Sequence, residues 1–355
     1  MTDDMSRATE SDRSADAAGS RRLLVTGVTG FVGRHLVRTL GDRGGTALRL
    51  LVRHGTVADL PESARGCSEL AQGDLTDPGG LPALCAGVEA VLHAAALMPN
   101  RPGRQATAEE LRRTNTEGTL ALAEAAAAAG VRRFVFVSST AAMGSPTSER
   151  IDETAPCRPT NPYGESKRRA EQGLLELGAR TGLEVVILRP CVVAGEGQLG
   201  GQLLRMFQLC RKGWFPAFGG RLEQHKPMVD VEDLAQAIIL AADRGPAGEV
   251  YLITSGIHYS MREMLTITGE LTGNPRPYLP VPLPLAWAAA VTTTPLARLV
   301  GREPPLSPGR IELFLADRRI DIGKARRELG YAPHFRDLRA MLARTYAWYG
   351  MTGQL

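Results

Sequence analysis

A strand that runs straight into evenly spaced glycines sets the fold class of this chain. Arg22-Leu-Leu-Val-Thr-Gly27-Val-Thr-Gly30-Phe-Val-Gly33 reads as a buried strand, Leu23 to Val25, then a turn and the start of a helix that continues through Leu36, Val37 and Leu40. A β-carbon at Gly27 or Gly30 would keep the backbone away from a pyrophosphate, and one at Gly33 would push the helix off its strand. Amides exposed at a helix N-terminus, with the helix dipole behind them, make an anion site. The spacing is G-x-x-G-x-x-G in place of the general G-x-G-x-x-G, so the motif alone also fits an ordinary glycine-rich strand–helix turn.

The rest of the chain narrows the architecture. Apolar, strand-like runs recur at 23–25, 48–52, 69–73, 90–94, 134–138, 184–189 and 250–254, and helical patterns at 31–41, 117–129, 163–181 and 231–243 separate most of them. Such alternation predicts right-handed βαβ units and an α/β, doubly wound parallel sheet of the Rossmann type. Its ligands bind beyond the carboxyl ends of the strands. That points to 27–33, 93–98, 138–144 and 189–195. The alternation lapses at 194–227 and again at 255–321. At 355 residues the chain exceeds a comfortable single core. We expect a dinucleotide-binding domain over 21–193, with 228–254 returning to its sheet, and a smaller substrate-binding cap mainly from 194–227 and 255–355.

Several function classes are disfavoured by composition. The net charge is +4 and the basic residues are dispersed, which suits anionic small ligands and not nucleic acid. Cys67, Cys85, Cys157, Cys191 and Cys210 form no C-x-x-C pair and no metal spacing, so reduced thiols in a cytoplasmic protein are expected. Residues 1–20 are polar and serine-rich without an apolar stretch, as in a disordered tail and unlike a signal peptide. The run 283–300 is broken by Pro284 and Pro295 and carries Arg298, so we expect no membrane span there but a helix bordering a pocket or a partner.

Chemistry enters at Tyr163-Gly-Glu-Ser-Lys167, which comes directly after the helix-starting pair Asn161-Pro162. Tyr163 and Lys167 share one helix face. A neighbouring ammonium favours the phenolate and lowers the phenol's pKa, so the pair can move a proton to or from a substrate oxygen. On its own Y-x-x-x-K also fits a surface helix with an incidental pair. Phe134-Val-Phe-Val-Ser138-Ser139-Thr140, however, is a buried strand ending in hydroxyls at the ligand-binding edge.

Together these segments resemble the extended short-chain dehydrogenase/reductase family, the epimerase/dehydratase-like group. The resemblance rests on Thr26-Gly-Val-Thr-Gly-Phe-Val-Gly33, Gly73-Asp-Leu75, Val91-Leu-His-Ala-Ala95, Asn115-Thr-Glu-Gly-Thr119, Ser138-Ser139, Tyr163-x-x-x-Lys167, Leu188-Arg-Pro190 and Val229-Asp-Val-Glu-Asp233, and it spans roughly 22–350. It implies a nicotinamide cofactor and a catalytic trio of Ser139, Tyr163 and Lys167. Ser139 is preferred to Ser138 or Thr140 because it lies five residues before Gly144, the family's register. By the same resemblance Gly27, Thr29, Gly30, Phe31, Val32 and Gly33 would cradle the pyrophosphate, Asp74 and Leu75 would flank the adenine, and Ala94, Ala95 and Ala96 would line the cofactor's path. Pro190, Val192 and Val193 would border the cofactor, Lys167 would also hold its ribose, and Asn115 would act as a structural or relay residue. A homodimer paired through the helices at 117–129 and 163–181 is the family's default.

Near the end of the second strand an NAD site needs a carboxylate to accept from the ribose hydroxyls. Leu50-Leu-Val-Arg53-His54 offers no acid and does offer a guanidinium suited to a phosphate, with Arg34 in reach to assist. This favours NADP(H), with NAD(H) as the alternative and a merely solvated Arg53 as the plain reading.

Departures from the family's patterns narrow the reaction. Thr140-Ala141 stands where sugar-nucleotide dehydratases carry an Asp-Glu pair, and Lys226 stands roughly where nucleotide-sugar epimerases carry a diphosphate-gripping arginine. Asp233 is expected only to cap its helix. The apolar segment from Pro280 to Leu306 is similar to the hydroxysteroid-dehydrogenase-like branch, and Met206, Phe207, Trp214, Phe215 and Phe218 are candidates for a hydrophobic pocket or for core. The expectation is an NADP(H)-dependent oxidoreductase interconverting a ketone and a secondary alcohol on an apolar or aromatic small molecule. The alternatives are a nucleotide-sugar 4-epimerase with retained NAD and a non-catalytic, NADP(H)-binding regulatory protein.

Overall fold

The computed structural model describes residues 21–53, 68–101, 104–144, 150–299, 306 and 308–355. The expected tail at 1–20, His54, Cys67, Val300, Pro304 and Pro305 lie outside the described residues.

Seven strands form one sheet: β1 (Arg21–Thr26), β2 (Thr46–Val52), β3 (Ser68–Gln72), β4 (Ala90–His93), β5 (Arg133–Val137), β6 (Glu184–Pro190) and β7 (Val250–Ile253). Their order is β7-β6-β5-β4-β1-β2-β3, and every pairing is parallel. All seven apolar runs of the sequence lie in this sheet. Strands β1, β2 and β4 to β7 are mostly apolar because both faces are covered, whereas the edge strand β3, Ser-Glu-Leu-Ala-Gln, is largely exposed. On one face Leu23, Val135 and Val137 pack under α1 (Phe31–Arg43) and the helix Val231–Arg244. On the other Leu24, Phe134 and Phe136 pack under α2 (Gly118–Ala128) and α3 (Pro162–Thr181). The side-chain alternation along a strand sorts neighbouring residues onto the two faces.

A separate core is built by helices outside the sheet, one before β7 in the chain and two after it. The helices Gly201–Lys212, Met261–Thr272 and Leu338–Met351 enclose Phe207, Leu265, Leu342 and Tyr349, with the Phe207 ring 5.1 Å from that of Tyr346. Met206 and Phe207 are therefore core and line no cleft, and Phe218 packs edge-on against Phe314 at 5.0 Å. Phe215 is partly covered, and Trp214 is exposed to solvent. Asp233 also departs from expectation. Asp230 is the residue that caps Val231–Arg244, whereas Asp233 accepts from the amides of His334 and Phe335 at 2.8 and 3.0 Å and so pins the C-terminal segment to that helix. Among the described residues no helix is long and apolar enough to cross a membrane.

Candidate active site

The glycine turn joins β1 to α1 at the carboxyl edge of the sheet. Gly27 has φ +74, and a β-carbon there would lie 2.7 Å from the Ala95 nitrogen. At Gly33 a β-carbon would sit 2.0 Å from the Gly27 carbonyl oxygen. Both glycines are thus demanded by the chain's own packing. Gly30 differs: it is exposed, in extended conformation, and caps α1 without a side chain. No acidic residue stands in the first turn of α1, so its amides face no competing carboxylate. With Thr29, Phe31 and Val32 half-buried around it, this uncapped turn fits the pyrophosphate of a dinucleotide. Ala94, Ala95 and Ala96 continue from β4 beside Gly27 and are likewise half-exposed.

One strand further out, Arg53 is exposed at the end of β2 and faces Asp74. The Asp74 carboxyl accepts from the Thr76 amide and hydroxyl, both at 2.8 Å. Those bonds hold it below its ordinary value, helped by the charges of Arg53 and Arg113. Leu75 is buried against Gly118. Arg34 turns back to donate to the Thr29 carbonyl at 3.1 Å.

A second cluster forms at the end of β5. Ser139 caps the short turn Thr140–Met143, accepting from the Ala141 amide at 3.1 Å. Across from it Asn161 caps α3 by accepting from Gly164 at 2.9 Å. A β-carbon on Gly164 would fall 2.3 Å from the Ala141 carbonyl oxygen, so the start of α3 is pressed onto that turn. This close approach leaves Ser139 near enough to the Tyr163 phenol to pull its proton affinity down.

Lys167 does not act as expected on that phenol. Burial pushes Tyr163 up to about 12, against the pull of Ser139, and Lys167 is not what moves it. The Lys167 ammonium instead donates to the Val137 carbonyl at 2.8 Å and lies 4.6 Å above the Phe136 ring. Being 2% exposed, it is pushed down by desolvation to about 7, with Glu171 opposing. The expected lowering of the phenol fails because desolvation of the tyrosine dominates.

Two further buried groups support this cluster. Glu171, one turn after Lys167, accepts from both Nε and Nη2 of Arg189, at 3.0 and 2.7 Å, and from the Ser138 hydroxyl. The Tyr163, Lys167, Glu171 spacing on one helix face was the available signal for it. His93, fully buried, lies between the hydroxyls of Thr26 at 2.7 Å and Thr119 at 2.9 Å. Desolvation, with the Lys167 charge adding to it, drives this imidazole down to about 3, so it is a neutral link between β1, β4 and α2.

Asn115 lies in a π-helical stretch, Arg112–Glu117, between Ala108–Leu111 and α2. Its side chain accepts from the Leu97 amide at 2.7 Å and donates to the Leu97 carbonyl at 3.0 Å and to Ser166 at 3.2 Å. It therefore fastens the segment after β4 to the start of α3. Pro190 ends β6, and Val192 and Val193, half-buried, pair with Met228 and Val229. Lys226 is not arranged to grip an anion. Its ammonium donates to the carbonyls of Leu313, Phe314 and Ala316 at 2.9, 2.8 and 2.8 Å, closing the C-terminus of the helix Pro308–Leu315.

A parallel sheet wound on both faces, with its polar groups gathered at one carboxyl edge, places the chain among the Rossmann-fold nicotinamide-dependent enzymes. Residues 23–254 match the model of the NAD dependent epimerase/dehydratase family. The chain belongs to that family, within the extended short-chain dehydrogenase/reductases, and is an oxidoreductase of that type. It is 34% identical to the sterol demethylase protein B of Methylococcus capsulatus, over 94% of this chain and 99% of that one. It is 33% identical to a 4-hydroxy-2-methyl-3-oxo-4-farnesyl-3,4-dihydroquinoline-1-oxide ketoreductase of Stigmatella aurantiaca, over 88% and 92% of the two. A dTDP-glucose 4,6-dehydratase from Streptomyces venezuelae, solved with NAD bound, superimposes with a TM-score of 0.74 at 29% identity, covering 93% of this chain and 97% of the other.

Proposed function

We propose that the chain is an NADP(H)-dependent oxidoreductase that interconverts a ketone and a secondary alcohol on an apolar or aromatic small molecule. The observation that carries this reading is the pressing of the start of α3, which bears Tyr163 and buried Lys167, onto the turn that Ser139 begins. The nicotinamide, when bound, supplies or accepts the hydride. Tyr163, with its phenol pushed up to about 12, keeps its proton until a developing alkoxide takes it. Ser139 holds the reacting oxygen by a hydrogen bond that strengthens as charge develops. Lys167, seated on the Val137 carbonyl, offers a buried nitrogen donor for a ribose hydroxyl.

Arg53 and Arg113 beside Asp74 are the groups we assign to a 2′-phosphate, which favours NADP(H) over NAD(H). Lys226, spent on three carbonyls, weighs against a nucleotide-sugar diphosphate. The ketone reading also agrees with the activity of the Stigmatella aurantiaca ketoreductase. We further propose a homodimer paired through α2 and α3, with the elements outside the sheet serving as the substrate-binding cap.

A screen of ketones with purified protein tests the reaction. The expected result is NADPH consumed in step with alcohol formed. Protein that purifies with tightly held nicotinamide, and turns over a nucleotide sugar with no cofactor added, would overturn the reading in favour of an epimerase.

A further inference from the structure

Arg318 is a guanidinium that the fold buries without neutralising. It is 9% exposed, and its Nε and Nη2 are buried with no hydrogen-bond partner. Its place is set by the backbone around it. The Arg318 amide donates to the His225 carbonyl at 3.1 Å, and the Arg319 carbonyl accepts from the Ile151 amide at 2.9 Å. Along 317–320 exposed and buried residues alternate, so Arg318 and Ile320 share the inward side. Ile320 is buried against Met143 and Leu252, and Met143 ends the turn that Ser139 begins. Cys191, directly after Pro190 at the end of β6, is close enough to act on the Arg318 charge. The buried side of this segment therefore lies next to the Ser139 turn, through Ile320 and Met143, and next to the end of β6, through Cys191.

Neighbouring charges do not satisfy it. Lys226 repels it, and that ammonium is itself committed to three carbonyls. Asp317 points to the exposed side, where it accepts from the His225 amide at 2.7 Å and ring at 2.9 Å and pairs with Arg319 at 3.3 Å. Among the described residues no acid pairs with Arg318. An unpaired buried charge is costly unless something outside the chain completes it.

The two vacant donors also define what completes it. Nε and Nη2 lie on one edge of the guanidinium plane, and that edge matches the two oxygens of a carboxylate. The same chain shows this fit at Arg189, which holds the Glu171 carboxylate by Nε and Nη2. We propose that Arg318 is a substrate-recognition residue that receives a carboxylate carried by the apolar ketone or alcohol substrate. The proposal rests on the ketone reading and adds the one charged group the substrate bears. A diphosphate is disfavoured because Lys226 is committed elsewhere and does not share the second charge.

Binding tests this without turnover. With NADP⁺ present, calorimetry would compare 2-naphthoate with 2-naphthamide, which differ in charge and little in shape. Wild type is expected to bind the carboxylate at least about tenfold tighter than the amide, in line with charge-assisted hydrogen bonds to a buried partner. Arg318→Leu and Arg318→Gln are expected to abolish the preference while binding the amide as wild type does. Arg318→Lys, which keeps the charge and loses the planar edge, is expected to retain only part of it. Equal binding of both probes by wild type, or a preference that survives in Arg318→Leu and Arg318→Gln, overturns the proposal. Arg318-dependent binding of UDP without binding of 2-naphthoate overturns both the carboxylate and the ketone reading. A chain that reduces no ketone yet shows the Arg318-dependent preference keeps this inference and loses that reading.

Discussion

Arg189 grips Glu171 from two sides of one carboxylate, Nε to Oε1 at 3.0 Å and Nη2 to Oε2 at 2.7 Å, one helical turn behind Lys167. Both residues are buried, at 7% and 3% exposure, so neither charge tolerates losing the other. Glu171→Leu is expected to cost about 3–5 kcal/mol by stranding the guanidinium, and the Glu171→Leu/Arg189→Leu double variant to cost clearly less. Urea denaturation of both measures this. Equal losses would show that the pair does not act as a unit.

Lys167 makes stability depend on pH. Its folded-state value is pushed down to about 7 from an ordinary 10.5. Between those values the unfolded chain binds the extra proton, so folding stability rises with pH through that window, and the full penalty is present below it. Lys167→Met, measured without cofactor, is expected to gain most over wild type near about pH 6, with the gain shrinking toward about pH 9. A gap that stays constant with pH would contradict the burial of a charged lysine.

The glycines of the turn separate folding from binding. Gly33→Ala places a β-carbon 2.0 Å from the Gly27 carbonyl oxygen and is expected to cost about 3 kcal/mol, the upper range of overpacking. Gly30→Ala meets that oxygen at 3.0 Å in an extended conformation. It is expected to fold nearly as well as wild type and to bind nicotinamide dinucleotides at least about tenfold more weakly, by roughly the worth of one lost charge-assisted contact. Thermal unfolding and cofactor titration read the two effects apart.

Arg53→Asp tests the cofactor assignment. Replacing the guanidinium with a carboxylate beside Asp74 should weaken NADPH by about a hundredfold and leave NADH nearly unchanged, since the 2′-phosphate loses a charged partner and gains a like charge. Fluorescence titration with both cofactors measures it. Equal weakening would remove Arg53 from phosphate recognition.

Local pattern made the sheet legible. Seven short, bounded runs became seven parallel strands, most of them covered on both faces and so apolar at nearly every position, with β3 at the exposed edge. The glycine turn at the start of α1, and the places of Ser139 after β5 and of Tyr163 and Lys167 on α3, follow from spacing along one strand or one helix, while their roles rest on the proposed function. The features that escaped depend on partners distant in sequence. The Glu171–Arg189 pair joins α3 to β6, Asp233 reaches His334 and Phe335, and Lys226 closes a helix end at residues 313–316. The direction of the Tyr163 shift was also hidden, since it depends on how deeply the phenol is covered and not on which residue stands four places on. Met206 and Phe207 belong to a core assembled from three helices, and apolarity alone does not distinguish that from a pocket wall.

The proposed reaction assigns the proton to Tyr163 and the hydride to the cofactor, and it stands or falls on that division. Steady-state reduction of an accepted ketone by wild type and Tyr163→Phe, alongside NADPH titration of both, tests it most directly. In the variant kcat is expected to fall by about 10²–10⁴-fold while NADPH affinity holds within a few-fold. A Tyr163→Phe variant with wild-type kcat would contradict it.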